Sequence, residues 1–339
     1  MKALLLAGGT GSRLLPFTRT MPKQLLPVAN RPVIEHAVHD VRSLGVRDVG
    51  VVVGARGRQI RRVLGDGSRL GVRFTYLEQD RPRGLADCVR LARGFLEDDD
   101  FLVYLGDNLF QDGSADAART FLDRRPEALL TVQQVRDPRD FGVAVVGDRG
   151  RVLRVVEKPD DPPSDHAVLG AYFLRPSIHE AIDHVTPSAR GELELTDALQ
   201  WLVDRGDEVL AVPYTGYWRD IGRVEDVLDS GRHYLERLEP EIRGHVDGDS
   251  SLTGPIAVAA GARIVRSRLT GPVTIGEGTL VEDSVVGPGV AIGRNCSVRA
   301  TSMTETVVLD GVTVHDSSGL NGCLAGSGGL RRHRAEVPV

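Results

Sequence analysis

Between Val258 and Val298, apolar residues return at a spacing that neither a helix nor a flat strand produces. Val258, Ile264, Leu269, Ile275, Val281, Val286, Ile292 and Val298 are separated by 6, 5, 6, 6, 5, 6 and 6 positions, with Gly, Pro, Ser and Thr filling many of the spaces. A helical face repeats near 3.6 residues and a strand face near 2. A repeat of about six instead predicts a parallel β-helix, whose apolar side chains all point into one prism-shaped core. The texture begins near Thr253 and lapses beyond Gly319. That last stretch, with Arg331-Arg332-His333-Arg334, reads as a cap or frayed tail.

The chain before the repeat is built differently. Lys2–Ala7 is a mostly apolar run closed by Gly8-Gly9, and similar runs occur at Val49–Val53, Phe101–Leu105 and Leu129–Val135. Helix-like stretches, Val33–Leu44 and Leu85–Phe95, lie between the first three. Strands alternating with helices predict a parallel α/β sheet covered on both faces. With 339 residues there is enough chain for two cores. The expected division is an α/β domain over 1–240, a linker over 241–252, the β-helix over 253–325 and a tail over 326–339. Ligands of such sheets bind at the carboxyl ends of the strands. Chemistry is therefore expected after Ala7, after Leu105 and near Tyr217–Gly222.

Composition narrows the partners. A formal net charge of −5 argues against a nucleic-acid coat, though local Lys and Arg can still hold a small anion. Three widely spaced cysteines, Cys88, Cys296 and Cys323, form neither a disulfide framework nor a zinc pattern, which suits a reducing cytoplasm. Cys88 reads as a small buried hydrophobe. The apolar run of MKALLLAGG is too short for a signal peptide, and no stretch approaches a membrane span.

The segment Gly8-Gly9-Thr10-Gly11-Ser12-Arg13-Leu14, followed by Pro22-Lys23-Gln24-Leu25-Leu26-Pro27-Val28, carries the clearest chemistry. Glycines after a strand let backbone N–H groups approach phosphate oxygens. Arg13 offers a planar fork for phosphate, and Lys23 adds a mobile charge. A P-loop would need Gly-Lys-Ser/Thr where Gly11-Ser12-Arg13 stands, and a dinucleotide fingerprint would need a glycine at Leu14. A plain strand-to-helix turn is the bland alternative.

Four further groups stand out. Asp107 follows the run Phe101–Leu105 and is a hard oxygen ligand suited to Mg²⁺, or else an Asx-turn residue. Asp220, within Trp218-Arg219-Asp220-Ile221-Gly222, is a second such carboxylate or a turn before a helix at Val224–Gly231. Glu157-Lys158 places opposite charges on neighbouring residues of an extended chain, which need not pair with each other. Gln79 offers a donor and an acceptor that match the imide edge of thymine or uracil, and Gly84 would let the main chain approach the ring.

Gly8–Leu14 with Pro22–Val28 resembles the signature of the sugar-phosphate nucleotidyltransferases, and within them the long form of the glucose-1-phosphate thymidylyltransferases. The resemblance extends over about residues 1–325. It implies a Rossmann-like mixed, mostly parallel sheet flanked by helices, followed by a C-terminal left-handed parallel β-helix. It also implies transfer of a nucleotidyl group from dTTP to glucose 1-phosphate, giving dTDP-glucose and pyrophosphate for deoxysugar biosynthesis. Arg13, Lys23 and Lys158 would then be catalytic. Leu6, Gly8, Gly9, Gly11, Ser12, Arg13, Gln24, Gln79 and Gly84 would bind the nucleotide. Gly142, Glu157, Lys158, Val168 and Tyr172 would bind the sugar phosphate, with Phe141 standing where the family often has Tyr. Asp107 and Asp220 would bind Mg²⁺. Lys23-Gln24 tilts the nucleotide towards dTTP, because UTP-using relatives often carry Lys-Glu.

Rival readings are a UTP-dependent uridylyltransferase, a sugar-nucleotide-binding protein without catalysis, and an acyltransferase built on the β-helix. The last has only His315 as a histidine between Ser250 and Gly322. The expected protein is a cytoplasmic homo-oligomer whose β-helix serves assembly or packs against the catalytic domain, with no nucleic-acid or membrane partner.

Overall fold

From Ala3 onward, the strand Lys2–Ala7 (β1) is buried, because parallel neighbours flank it on both edges and helices cover its faces. Those neighbours are Asp48–Val53 (β2) and Phe101–Leu105 (β4), which set Gly50 and Val103 opposite Leu4. Arg73–Glu78 (β3) extends the parallel edge beyond β2. On the other side the sheet turns mixed. Ala128–Gln134 (β5), Gly142–Val146 (β6), Val152–Glu157 (β7), His166–Leu174 (β8) and Val209–Pro213 (β9) complete it in the order β7-β6-β8-β4-β1-β2-β3, with β5 pairing β8 and β9 pairing β5. β8 runs antiparallel to β4, β5 and β6, whereas β9 is parallel to β5.

In the computed structural model, which describes residues 1–9 and 11–332, this sheet belongs to the first of two units. That unit comprises Met1–Gly9 and Ile34–Trp218. Its core joins Leu4, Val52 and Phe101 of the sheet to Val89 and Leu199 of the helices Leu85–Leu91 and Leu195–Arg205.

The second unit holds the described residues of Thr10–Val33 and Arg219–Val339. Its β-helix is three parallel sheets wound from successive short strands. Leu269 lies beside Val286, Val286 beside Met303, and Met303 beside Leu320, so one coil advances 17 residues. Sides of 6, 5 and 6 residues produce that pitch and account for the irregular sequence repeat. A buried hydroxyl ladder runs up one corner at the same spacing. Ser267 N–H donates to Ser250 Oγ, Ser284 N–H to Ser267 Oγ, and Thr301 N–H to Ser284 Oγ, at 3.0, 3.1 and 3.2 Å. The corner bends through Arg266, Asp283 and Ala300, with φ of 44, 49 and 47°.

Two expected boundaries shift. Residues 241–252 are not a linker but most of the first coil: Glu241–Ile242, His245–Val246 and Ser251–Thr253 pair in register with the coil above. Val246 and Leu252 pack on the core, while the neighbouring Arg243, His245 and Asp247 mask the repeat. At the other end the pattern does not lapse at Gly319, since Leu320 and Ala325 are still core residues. One coil there is a residue shorter, placing Val308 beside Ile292 and breaking the sixfold reading. Gly329–Arg332 folds back antiparallel on Cys323–Gly326 and closes the stack. Thr10 and the basic residues His333 and Arg334 lie outside the described residues. Among the described residues no helix is long and apolar enough to cross a membrane.

Candidate active site

In the first unit the carboxyl ends of β1, β3 and β4 carry the expected residues. Gly8 follows β1, and its carbonyl oxygen lies 3.3 Å from where a Cβ on Gly54 would stand, so these turns are in backbone contact. A Cβ on Gly8 would itself stand 3.6 Å from Gln79 Oε1, at the end of β3. Gln79 is buried, and its Nε2 donates to Asp87 Oδ2 at 2.8 Å. Gly84 starts the helix Leu85–Leu91 with φ of 98°, packed against the backbone of Leu193. Leu6 is buried in β1, and its carbonyl oxygen accepts from Gly106 N–H at 2.9 Å, which ties the loop before Asp107 to the end of β1.

Asp107 is half-buried, and its Oδ1 accepts from Asn108 Nδ2 at 3.1 Å. Asn108 Oδ1 in turn accepts from Trp218 Nε1 at 2.8 Å. This relay fixes the direction of the Asp107 carboxylate.

A second cluster forms where β6, β7 and β8 meet. A Cβ on Gly142 would stand 2.9 Å from Thr196 Cγ2, 3.3 Å from Glu157 Oε2 and 3.6 Å from Val168 Cβ. Glu157 Oε2 accepts from Thr196 Oγ1 at 3.1 Å, and Arg190 Nη1 lies 3.4 Å from Oε1. Lys158 has φ of 39°, which breaks the extended geometry and swings its Nζ to 3.6 Å from Glu157 Oε1, so these neighbours do meet. Val168 and Tyr172 are buried in the core. Burial, then the nearby Glu157 charge, pushes the Tyr172 phenol well above its usual range, leaving it a neutral O–H. Burial also raises Glu194, against the bond from Ser188, and raises Asp197, with Glu157 adding to it. Acceptor carboxylates with an exposed Lys and Arg beside them suit a polyol phosphate. Thr196 was missed by sequence reasoning, because its position at the start of the helix Leu195–Arg205 carries no local sign of a partner as far away as Glu157.

The second unit carries the rest. Gly11 has φ of 66°, and a Cβ there would stand 2.9 Å from Thr18 Cγ2 and 3.1 Å from Lys23 Cβ, so only glycine fits. Gly11 carbonyl accepts from Thr18 Oγ1 at 2.7 Å and from Leu14 N–H at 3.0 Å, folding Ser12-Arg13-Leu14 into a tight turn. Buried Leu14 and Phe17 anchor that turn while Ser12 and Arg13 stay exposed. Lys23 is half-buried, and Gln24 is buried with no partner on its Oε1. Arg13 and Asp220 converge on Gly222: a Cβ there would stand 3.0 Å from Arg13 Nη2 and 3.7 Å from Asp220 Oδ2.

Similarity to known proteins bears on this arrangement. Residues 2–237 match the nucleotidyl transferase family, and residues 240–317 match the GlmU-like C-terminal hexapeptide family. The chain belongs to the nucleotidyl transferase family. Its relatives include glucose-1-phosphate thymidylyltransferases of Streptomyces griseus, 45% identical over 100% of this chain and 95% of that protein, and of Streptomyces antibioticus, 44% identical over 96% and 92%. A provisionally assigned glucose-1-phosphate thymidylyltransferase of Bacillus anthracis, solved with sucrose, is similar in structure, with a TM-score of 0.64 and 37% identity over 68% of this chain and 94% of that one. The Gly8–Leu14 loop, Asp107 and Glu157-Lys158 thus lie within the matched nucleotidyl transferase residues. The described residues of this nucleotidyl transferase hold no group of three or more His, Cys, Asp or Glu that could cage a metal. A magnesium site built from one or two carboxylates, with substrate phosphates completing it, needs no such cage. The half-buried carboxylates of Asp107 and Asp220 fit that donor chemistry.

Proposed function

We propose that this enzyme transfers the thymidylyl group of dTTP to glucose 1-phosphate, releasing pyrophosphate and forming dTDP-glucose for deoxysugar assembly. What supports the reading most is similarity along the whole chain to glucose-1-phosphate thymidylyltransferases. The phosphate-loop, base-side and sugar-side motifs all accompany it.

An oxygen of the sugar phosphate attacks the α-phosphorus, and the bond to the bridging oxygen of pyrophosphate breaks. No protein nucleophile is needed, so the residues act by positioning and charge. Arg13 and Lys23 neutralise the triphosphate and its departing pyrophosphate, while the glycines at positions 8, 9 and 11 and Ser12 offer backbone N–H groups. Lys158 holds the sugar phosphate so that two anions can meet, and Glu157 accepts from sugar hydroxyls. Mg²⁺, held by Asp107 and Asp220, would supply charge neutralisation at the phosphates. Gln79, Gly84 and Gln24 face the base in this reading. Assembly into a homo-oligomer and a cytoplasmic location belong to the same proposal.

The deciding experiment is pyrophosphate release with Mg²⁺ and glucose 1-phosphate, comparing dTTP, UTP, CTP, ATP and GTP. Turnover led by dTTP is expected. Turnover led by UTP would instead favour the uridylyltransferase reading, and none with any nucleotide would sink the assignment. Replacing Arg13, Lys23 or Asp107 by Ala should lower turnover about 100-fold.

A further inference from the structure

A glutamine amide facing a pyrimidine can present either its oxygen or its nitrogen, and the two ends prefer different bases. Thymine and uracil carry a hydrogen-bond donor at N3, whereas cytosine carries an acceptor there. Something must hold the amide one way round. Here that constraint is visible beside Gln79. On the helix Leu85–Leu91, between Ala86 and Cys88, stands Asp87, a carboxylate only 3% exposed. Its Oδ2 accepts from Gln79 Nε2 at 2.8 Å and from Arg83 Nε at 3.3 Å, and its Oδ1 accepts from Arg90 Nη2 at 2.6 Å. Burial pushes the Asp87 carboxyl upward, yet the bonds from Gln79, Arg90 and Arg83 outweigh it and leave Asp87 below the usual carboxylate range. An ionised carboxylate only accepts. The amide end that touches Asp87 must therefore be the nitrogen, which sends Oε1 the other way, towards the backbone of Gly8.

We infer that Asp87 is a positioning residue that fixes the Gln79 amide with its acceptor towards the base, and so sets the preference for pyrimidines with an N3–H. The inference rests on the reading of Gln79 as a base-facing residue. It concerns donor against acceptor at N3, so Asp87 separates thymine and uracil from cytosine and leaves thymine against uracil to other residues.

Asp87→Asn tests it. An asparagine both donates and accepts, so the Gln79 amide is free to turn over. The ratio of kcat/KM for dTTP to that for dCTP should fall about ten- to a hundredfold, the cost of facing two acceptors at one hydrogen bond. The ratio for dTTP to dUTP should stay put, and kcat at saturating dTTP should change little. Asp87→Glu, which keeps an acceptor-only group, should recover part of the dTTP preference over dCTP. In a Gln79→Met background, Asp87→Asn should move the dTTP to dCTP ratio no further, because Asp87 then has nothing to orient. An unchanged ratio in folded Asp87→Asn, or additive effects in the double variant, would overturn the inference. If Asp87→Asn does not fold, the ¹⁵N resonance of the Gln79 side-chain amide in the wild type decides. Held by a buried carboxylate, its protons should exchange slowly and shift little on adding dTDP, and a large shift would mean that the nitrogen turns to the base. Failure of the broader functional reading looks different: the wild type itself would turn over neither dTTP nor UTP.

Discussion

Gly222 and Arg13 show how one missing side chain positions another. The Cβ of Gly222→Ala would push at the Arg13 guanidinium, the far end of a flexible side chain, and at no backbone atom within 3.7 Å. The fold can yield there, but the guanidinium loses its place beside Asp220. We predict that Gly222→Ala lowers kcat about 10- to 100-fold, as displacements near 1 Å do, with a thermal midpoint close to the wild type. Loss of the midpoint in step with activity would mean that the glycine serves the fold instead. His179 gives a prediction on pH. It is 6% exposed, stacked on Phe101 at 5.7 Å between ring centroids, and its Nε2 is buried without a partner. Burial, with Arg93 nearby, lowers its pKa below the ordinary 6.5. The unfolded chain therefore takes up a proton before the folded one does. Stability is full above the unfolded value and is lost as pH falls through it towards the lower folded value. His179→Phe should lose less thermal midpoint than the wild type between about pH 7.5 and pH 5, and identical slopes would show that this ring does not titrate on unfolding.

At the scale of elements, the sequence shows what an element is more readily than what a residue inside it touches. The run Lys2–Ala7 and the helix-like stretch from Val33 were legible because a buried strand is continuously apolar and a half-buried helix is periodic. Gly84 was read as an opening for the base, and the structure adds a second constraint that no local pattern shows. A Cβ there would stand 2.3 Å from the Leu193 carbonyl oxygen, on a connection far away in sequence where Leu193 N–H donates to Arg83 O and Ala86 N–H to Leu193 O. Gly84→Ala must therefore break a backbone contact at a φ of 98° as well as alter the nucleotide side. We expect a loss of at least about 1–3 kcal/mol in unfolding free energy. A stable Gly84→Ala with only a raised KM for dTTP would leave the base as the sole reason for the glycine. Asp87 escaped notice for a related reason. It is a lone acid among the buried residues Ala86, Cys88 and Val89; Arg83 and Arg90 at helical spacing account for its charge, but its bond to Gln79 spans a turn that no local pattern shows. A polar residue on an otherwise apolar helix face was the available signal, and it does not say which residue the acid holds.

Across the whole molecule, contacts divide the chain differently from its order in sequence. A reading by order along the chain separates Gly8–Leu14 from the hexapeptide repeat by more than two hundred residues. By contacts, the described part of Thr10–Val33 groups with the β-helix. Asn30 Nδ2 donates to Ile292 O at 2.7 Å, and a Cβ on Gly326 would stand 2.9 Å from both Phe17 Cδ1 and Leu309 Cδ1. The last parallel strand of the stack, Cys323–Gly326, is thus a seat for the buried ring that follows Arg13 by four residues. These contacts tie the signature segment to the β-helix, and we predict from them that packing in the last coils supports turnover. A bulky residue at the seat should then be felt as lost catalysis. We predict that Gly326→Val, which overpacks Phe17 by roughly 1–3 kcal/mol, lowers turnover several-fold or more although it lies near the far end of the chain. Gly319→Asn is the matched control, because a Cβ there meets nothing within 4 Å and Asn tolerates its φ of 70°. If Gly326→Val weakens thermal stability without touching kcat, the β-helix supports only itself. If Gly319→Asn lowers kcat equally, any disturbance of the last coil suffices, and the Phe17 seat is not the route.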